Sequence, residues 1–267
     1  MKKRKNIILN ILLVVFIVTA GVSGYLLFKY YHETNENEDF VSSLKDLVDE
    51  DATDTVEAAE TVPKTVKVND EDILQKYLKL YEKNKDFIGW IYIEGAKIDY
   101  PVMQCKENEK KYLRANFDGE YALAGTPFMA AGCDAKKPST NLIIYGHNMK
   151  SGYMFGDLDE YLDAEYLNKH RIIHFDTIYG LNQYQVVAAF HLTLNSPGET
   201  GYYFHGFMEA ETQGELNEFL EEVNKKNEID TTVTATMNDH FLTLSTCDDY
   251  GAHEGRRFLV IAKKIEK

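Results

Sequence analysis

Between Ile88 and Ala262 the chain places short β-branched and aromatic runs between turn residues, and that spacing restricts the fold more than any other feature. The runs fall at Gly89–Ile93, Ile98–Val102, Thr126–Ala131, Leu142–Tyr145, Arg171–Phe175, Tyr184–Leu194, Thr231–Thr236, Phe241–Ser245 and Phe258–Ala262. Each has the length and composition of one strand. With few helical patterns between them, they predict a mainly β domain with added helices, built as an antiparallel barrel or sandwich. Helical spacing interrupts the series at about Phe155 to Leu167. It returns after Thr212, which forms a capping-box pattern with Glu215 ahead of Leu216, Phe219, Leu220 and Val223. A further helix is expected to open the domain. There Asn69 to Asp72 offers a cap and first-turn acids before Ile73, Leu74, Tyr77, Leu78 and Tyr81. A hydrophobic content of 44% over 267 residues is enough to fill one good-sized core.

The N-terminal part follows different rules. Four cations in residues 1–6 precede an apolar run from Ile7 to Phe28. As a helix that run reaches roughly 33 Å, the thickness of a bilayer's hydrocarbon core. Residues 7–28 are therefore expected to span a lipid bilayer, with a basic cytoplasmic tail before them and the rest of the chain outside the cell. Val18-Thr-Ala20 also satisfies a small-residue cleavage rule, so a removed signal peptide is the competing reading. Residues 29–68 are acidic and poor in aromatics, a composition that cannot bury enough surface to fold alone, and they read as a tether. Within them Phe40, Leu44, Leu47 and Val48 have the spacing of a short amphipathic helix. Residues 69–267 then form the folded domain. The net charge of −14 argues against nucleic acid as a partner.

Three cysteines in an expected extracellular domain leave at least one unpaired. Cys105 and Cys133 read either as two small buried thiols or as one bridge. Cys247 differs, because it ends a strand run and enters the polar, glycine-containing loop Asp248 to Gly255. Such a position suits a nucleophile, whose reactive form is the thiolate. His147 sits at the exit of Asn141-Leu-Ile-Ile-Tyr-Gly-His147-Asn-Met149, another buried strand pattern. Arg257 opens the apolar run that follows Cys247 by ten residues. A thiol, an imidazole and a guanidinium at strand ends supply a nucleophile, a base and an anion stabiliser. His253 is a local rival base. His170 and His174 are four apart, but they fall on a strand pattern and no further ligand cluster accompanies them, so neither a metal nor another cofactor is expected.

These residues resemble the sortases, whose site pairs a Thr-Leu-x-Thr-Cys strand and a following arginine with an earlier histidine. Tyr145-Gly-His-Asn-Met149 followed by Met154-Phe-Gly-Asp-Leu158, with a helix late in the domain, is most similar to class B. The likeness runs from about Asn69 to Lys264. It implies a closed sortase-type β-barrel with an N-terminal helix and a long helix in the connection before the cysteine-bearing hairpin. It also implies a cysteine transpeptidase that cleaves a C-terminal sorting motif of secreted proteins, sometimes of Asn-Pro-x-Thr type, after Thr. The acyl group then passes to an amine of a cell-wall precursor or of peptidoglycan. On this likeness His147, Cys247 and Arg257 are catalytic, Ser245 and Thr246 line the cleft, and Asn116 matches a polar residue near some class B sites. A membrane-tethered cysteine peptidase would use the same residues with water in place of the amine. Within the family, no residue excludes a pilus-polymerising role. A non-catalytic surface module would follow only if His147, Cys247 and Arg257 lay far apart in the fold.

Overall fold

The computed structural model describes residues 2–49, 53–54, 62–193, 202–247 and 255–266. Eight strands close into a barrel: β1 (Phe87–Tyr92), β2 (Asp99–Met103), β3 (Phe128–Met129), β4 (Asn141–His147), β5 (Ile172–Thr177), β6 (Gln183–Thr193), β7 (Phe241–Cys247) and β8 (Arg256–Lys264). Around the barrel the order is β6-β8-β7-β4-β3-β2-β1-β5, and β5 returns to β6. Most neighbours are antiparallel, but β4 with β7 and β2 with β3 are parallel. A parallel pair cannot be closed by a tight turn. Accordingly, the chain between β4 and β7 carries a helix, two further barrel strands and a second helix before it returns.

Period-2 alternation sorts β7 and β8 into two faces. Leu242, Leu244, Phe258, Val260 and Ala262 enter the main barrel core, whereas Phe241, Leu259 and Ile261 join an outer layer. The helices are α1 (Lys2–Lys45), α2 (Leu78–Lys83), α3 (Ala164–Lys169) and α4 (Gln213–Lys226), and α4 closes that outer layer. Leu216, Phe219, Leu220 and Val223 of α4 are buried against it, each worth roughly 1.5–3 kcal/mol relative to exposure. Thr212 caps the helix by accepting from the Glu215 amide, while Glu215 reaches back to the amide of Glu211. The reciprocal arm of the capping box thus lands one residue earlier than the pattern specifies.

Four local readings change in the folded chain. Asn69 and Asp70 are left-handed, with φ of 48° and 65°, and close a two-residue hairpin between strands Thr65–Val68 and Glu71–Leu74 instead of capping a helix. The helical spacing that follows becomes a 3₁₀ turn at Gln75–Tyr77 and then α2. The Phe155 to Leu167 pattern splits into a 3₁₀ segment, Leu158–Leu162, and α3, because the Asp163 carboxylate accepts from the amides of Glu165 and Tyr166 and starts a new helix. Thr231–Thr236 forms no strand. Its backbone groups bond instead to side chains leaving α4: Asn224 brackets the peptide of Val233, and Asn227 donates to the carbonyl of Thr231.

The N-terminal helix is longer than the apolar run. Its first part is long and apolar enough to cross a membrane and is exposed throughout. The helix then continues to Lys45 through the acidic segment. There Phe40, Val41, Leu47 and Val48 pack on the barrel and Leu44 is 1% exposed. The segment that cannot fold alone is held by tertiary contacts, including an ion pair from Lys45 to Asp99.

Candidate active site

β4 and β7 run parallel in continuous register, from Asn141 opposite Phe241 to His147 opposite Cys247. An antiparallel pairing would send the two strand exits to opposite ends of the barrel; the parallel pairing brings them to the same end. On the other side of β7, antiparallel β8 places Leu259 opposite Ser245. The ladder ends at that pair, and beyond it the Phe258 amide bonds instead to the Thr246 hydroxyl at 2.9 Å; the same register extended by two residues would set Arg257 opposite Cys247. The ends of β4 and β7 and the start of β8 therefore bring the backbone of His147, Cys247 and Arg257 to one rim of the barrel.

His147 is 6% exposed, and its Nε2 lies 2.7 Å from the carbonyl oxygen of Leu113. A carbonyl only accepts, so Nε2 carries the hydrogen and, in the neutral ring, Nδ1 holds the lone pair. The backbone around the ring is clamped by Phe155. Its amide donates to the His147 carbonyl at 2.9 Å, and its ring covers Gly146, where an added Cβ would sit 2.6 Å from the ring carbon Cδ2. The glycine before the histidine is thus a packing requirement, met by the phenylalanine of the downstream Met154-Phe-Gly-Asp-Leu158 motif.

Arg257 is partly exposed and its Nη1 donates to the Arg256 carbonyl, while Arg256 is exposed. Ser245 and Thr246, being adjacent on a strand, face opposite sides. Ser245 is fully buried on the outer face, with its hydroxyl 3.0 Å from Nε2 of His205. Thr246 turns inward and clips β7 to β8 through the Phe258 peptide. Asn116 lies three residues beyond Leu113, and its side chain closes the 116–120 turn by accepting from the Glu120 amide. His205 carries no signal in the sequence. It follows three aromatic residues in a connection without strand or helix spacing, and only the folded chain brings it to β7. Burial first, and then the Arg257 charge, depress its pKa to about 4, so the ring is neutral near pH 7.

A family model for the sortase domain matches residues 91–265. The chain belongs to the sortase family. Sortase B of Staphylococcus aureus (strain NCTC 8325 / PS 47) is 35% identical over 196 residues, covering 73% of this chain and 77% of that protein. Sortase B of Listeria monocytogenes serovar 1/2a (strain ATCC BAA-679 / EGD-e) is 31% identical over 256 residues, covering 94% and 95%. Among solved structures, sortase B from B. anthracis in complex with AAEK1 superposes with a TM-score of 0.71 at 28% identity, covering 89% of this chain and all of that one. These matches make the chain a class B sortase, and class B sortases are cysteine transpeptidases.

The other thiols of this sortase have different surroundings. Cys105 and Cys133 are both free, so the bridge is not formed. Cys133 is buried, takes a hydrogen bond from the Ile143 amide at 3.4 Å, and is pushed up to about 11 by burial. That thiol stays protonated near pH 7 and is a poor nucleophile. Cys105 is only half-buried, beside Glu107. His170 is held by the Glu94 carbonyl and His174 stacks on Tyr92. The rival base His253 and residues 248–254 of its loop lie outside the described residues.

Proposed function

We propose that this class B sortase is a membrane-anchored transpeptidase. It would cleave a C-terminal sorting motif of secreted proteins after threonine and pass the acyl group to a cell-wall amine. One relationship supports the residue assignment: the parallel register that pairs His147 with Cys247, with Arg257 two residues beyond the last β7–β8 pair on the adjoining strand. In this reading the Cys247 thiolate attacks the threonine carbonyl carbon, forming a C–S bond. The tetrahedral intermediate collapses with cleavage of the C–N bond, and His147 as imidazolium protonates the departing amine. An incoming amine then attacks the thioester, returns its proton to His147 and releases the thiolate. Arg257, with its planar fork of donors, stabilises the oxyanion in both halves. The Leu113 carbonyl supports this assignment, because it fixes the ring's orientation and its Nε2–H tautomer.

Anchoring rests on the exposed apolar face of α1, with the basic N-terminal tail in the cytoplasm and the barrel outside the cell. The span would lead into the catalytic domain expected at 69–267, to which residues 40–48 and 65–68 of the expected tether also add contacts. Asn116 is assigned to the substrate cleft, whereas Ser245 and Thr246, both buried, would act on it indirectly by fixing the strand end. The test is to incubate the chain with a library of sorting-motif peptides, with and without an added amine, and to read products by mass. Amine-dependent ligation through a trapped acyl adduct on Cys247 supports the reading. Hydrolysis alone, unaffected by any amine, makes the enzyme a peptidase instead.

A further inference from the structure

We propose that His205 is a positioning residue for this site, fixing the Ser245 hydroxyl and with it the outer face of the β7 end beside Arg257. The proposal rests on the assignment of Cys247 and Arg257 given above. His205 sits on the 3₁₀ turn Phe204–Gly206, is 8% exposed, and reaches β7 from outside the barrel. Its Nε2 lies 3.0 Å from Ser245 Oγ, and Ser245 has no exposed surface, so no water replaces that bond without rearrangement. The groups facing the ring come from three elements. Tyr145 of β4 lies 5.7 Å away between centroids, Tyr203 of the same turn 6.4 Å away, and Arg257 of β8 is close enough for its charge to disfavour the imidazolium. Tyr145 is itself the β4 residue directly opposite Ser245. The imidazole therefore ties the turn to the row just inside His147 and Cys247. A neutral ring does so without setting a second cation against Arg257.

Kinetics on the full chain test the idea. His205→Phe keeps a ring of similar size and loses the bond; the expected result is a fall of about tenfold in kcat with little change in KM, the scale of one lost hydrogen bond. His205→Gln, which restores a polar reach to Ser245, recovers most of it. The double variant with Ser245→Ala loses no more than the worse single variant. Wild-type kcat in His205→Phe, no rescue by glutamine, or additive losses would overturn the proposal. Should His205→Phe fail to fold, the ¹⁵N resonance of the His205 ring decides. It moves in Ser245→Ala if the bond exists, and an unmoved resonance rejects it. That readout needs no turnover, so failure of the transpeptidase reading stays distinguishable from failure of this one.

Discussion

His147 and Cys247 are directly opposed residues at the ends of two parallel strands, a hundred positions apart in the chain and one inter-strand spacing, about 4.8 Å, apart in the sheet. Parallel pairing is what makes this possible, and the long excursion between β4 and β7 is its topological consequence. Replacing Cys247 with Ala is expected to abolish both cleavage and transfer and to leave the thermal midpoint nearly unchanged. Cys105→Ala and Cys133→Ala are expected to keep activity, the second with a loss of stability because that thiol is buried. Acyl-adduct mass spectrometry on the three variants checks this. An adduct surviving in Cys247→Ala would move the nucleophile elsewhere.

Gly146→Ala probes the clamp on His147. The new methyl meets the Phe155 ring at 2.6 Å, so either the ring or the strand end shifts. Overpacking of this kind costs about 1–3 kcal/mol and is expected to lower activity more than tenfold by displacing the imidazole from the Leu113 carbonyl. Pairing the change with Phe155→Leu, which relieves the clash, is expected to return part of both losses. Unfolding midpoints and turnover of the single and double variants settle the matter.

The barrel was legible because its strands announce themselves by composition: eight of the nine expected runs are barrel strands. Thr231–Thr236 misled because β-branched residues say nothing about partners, and here the partners are asparagines in and just after α4. The motifs around His147 and Cys247 were visible in the sequence, but their pairing through a parallel register across a long crossover was not. His205 was illegible in principle. Its contact with Ser245 depends on how an aromatic turn folds over the sheet. The docking of residues 40–48 was half visible as a stripe, hidden by an acidic composition that predicts disorder when judged in isolation.

Arg257 and Arg256 differ by one position and, by alternation, by face. If the guanidinium holds an oxyanion through its fixed donor geometry, Arg257→Lys keeps charge and loses the fork. A rate loss of roughly 10² to 10³, typical of removing one oxyanion donor, is expected. Arg256→Lys is expected to change little, since that side chain is exposed. Steady-state transpeptidation of the two variants decides between them; a larger defect at Arg256 would reverse the assignment.

Acid stability reports on His205. Its pKa is about 4 when folded against 6.5 when free, so the unfolded chain binds the proton more readily. The resulting stability is fully present above about pH 6.5 and is lost as pH falls from there toward 4. Denaturant titrations across that window are expected to show a shallower pH dependence in His205→Phe than in the wild type. His174, also depressed by burial, supplies a residual slope of the same sign. Equal slopes in the two proteins would mean that the imidazole is not held neutral.

The last expectation concerns where the independently stable unit begins. The exposed apolar part of α1 contributes nothing to the barrel and Tyr30 packs only at the edge of its core, so a chain starting at Glu33 is expected to be soluble and active with a small loss of stability. The next part of the helix is different: Leu44 is 1% exposed, Phe40 and Val41 pack beside it, and Asp49 donates its amide to the Lys76 carbonyl. Leu44→Ala in the Glu33 chain is expected to cost about 2–5 kcal/mol, the range for a buried leucine. A chain starting at Asn69 loses that helix and also the Thr65–Val68 strand of the hairpin. It is expected to unfold at a clearly lower temperature and to aggregate, because the apolar patch that received Leu44 is then open to water. Thermal unfolding of the two truncated chains and of Leu44→Ala separates the possibilities: equal midpoints would show that residues 33–68 are a passive tether after all.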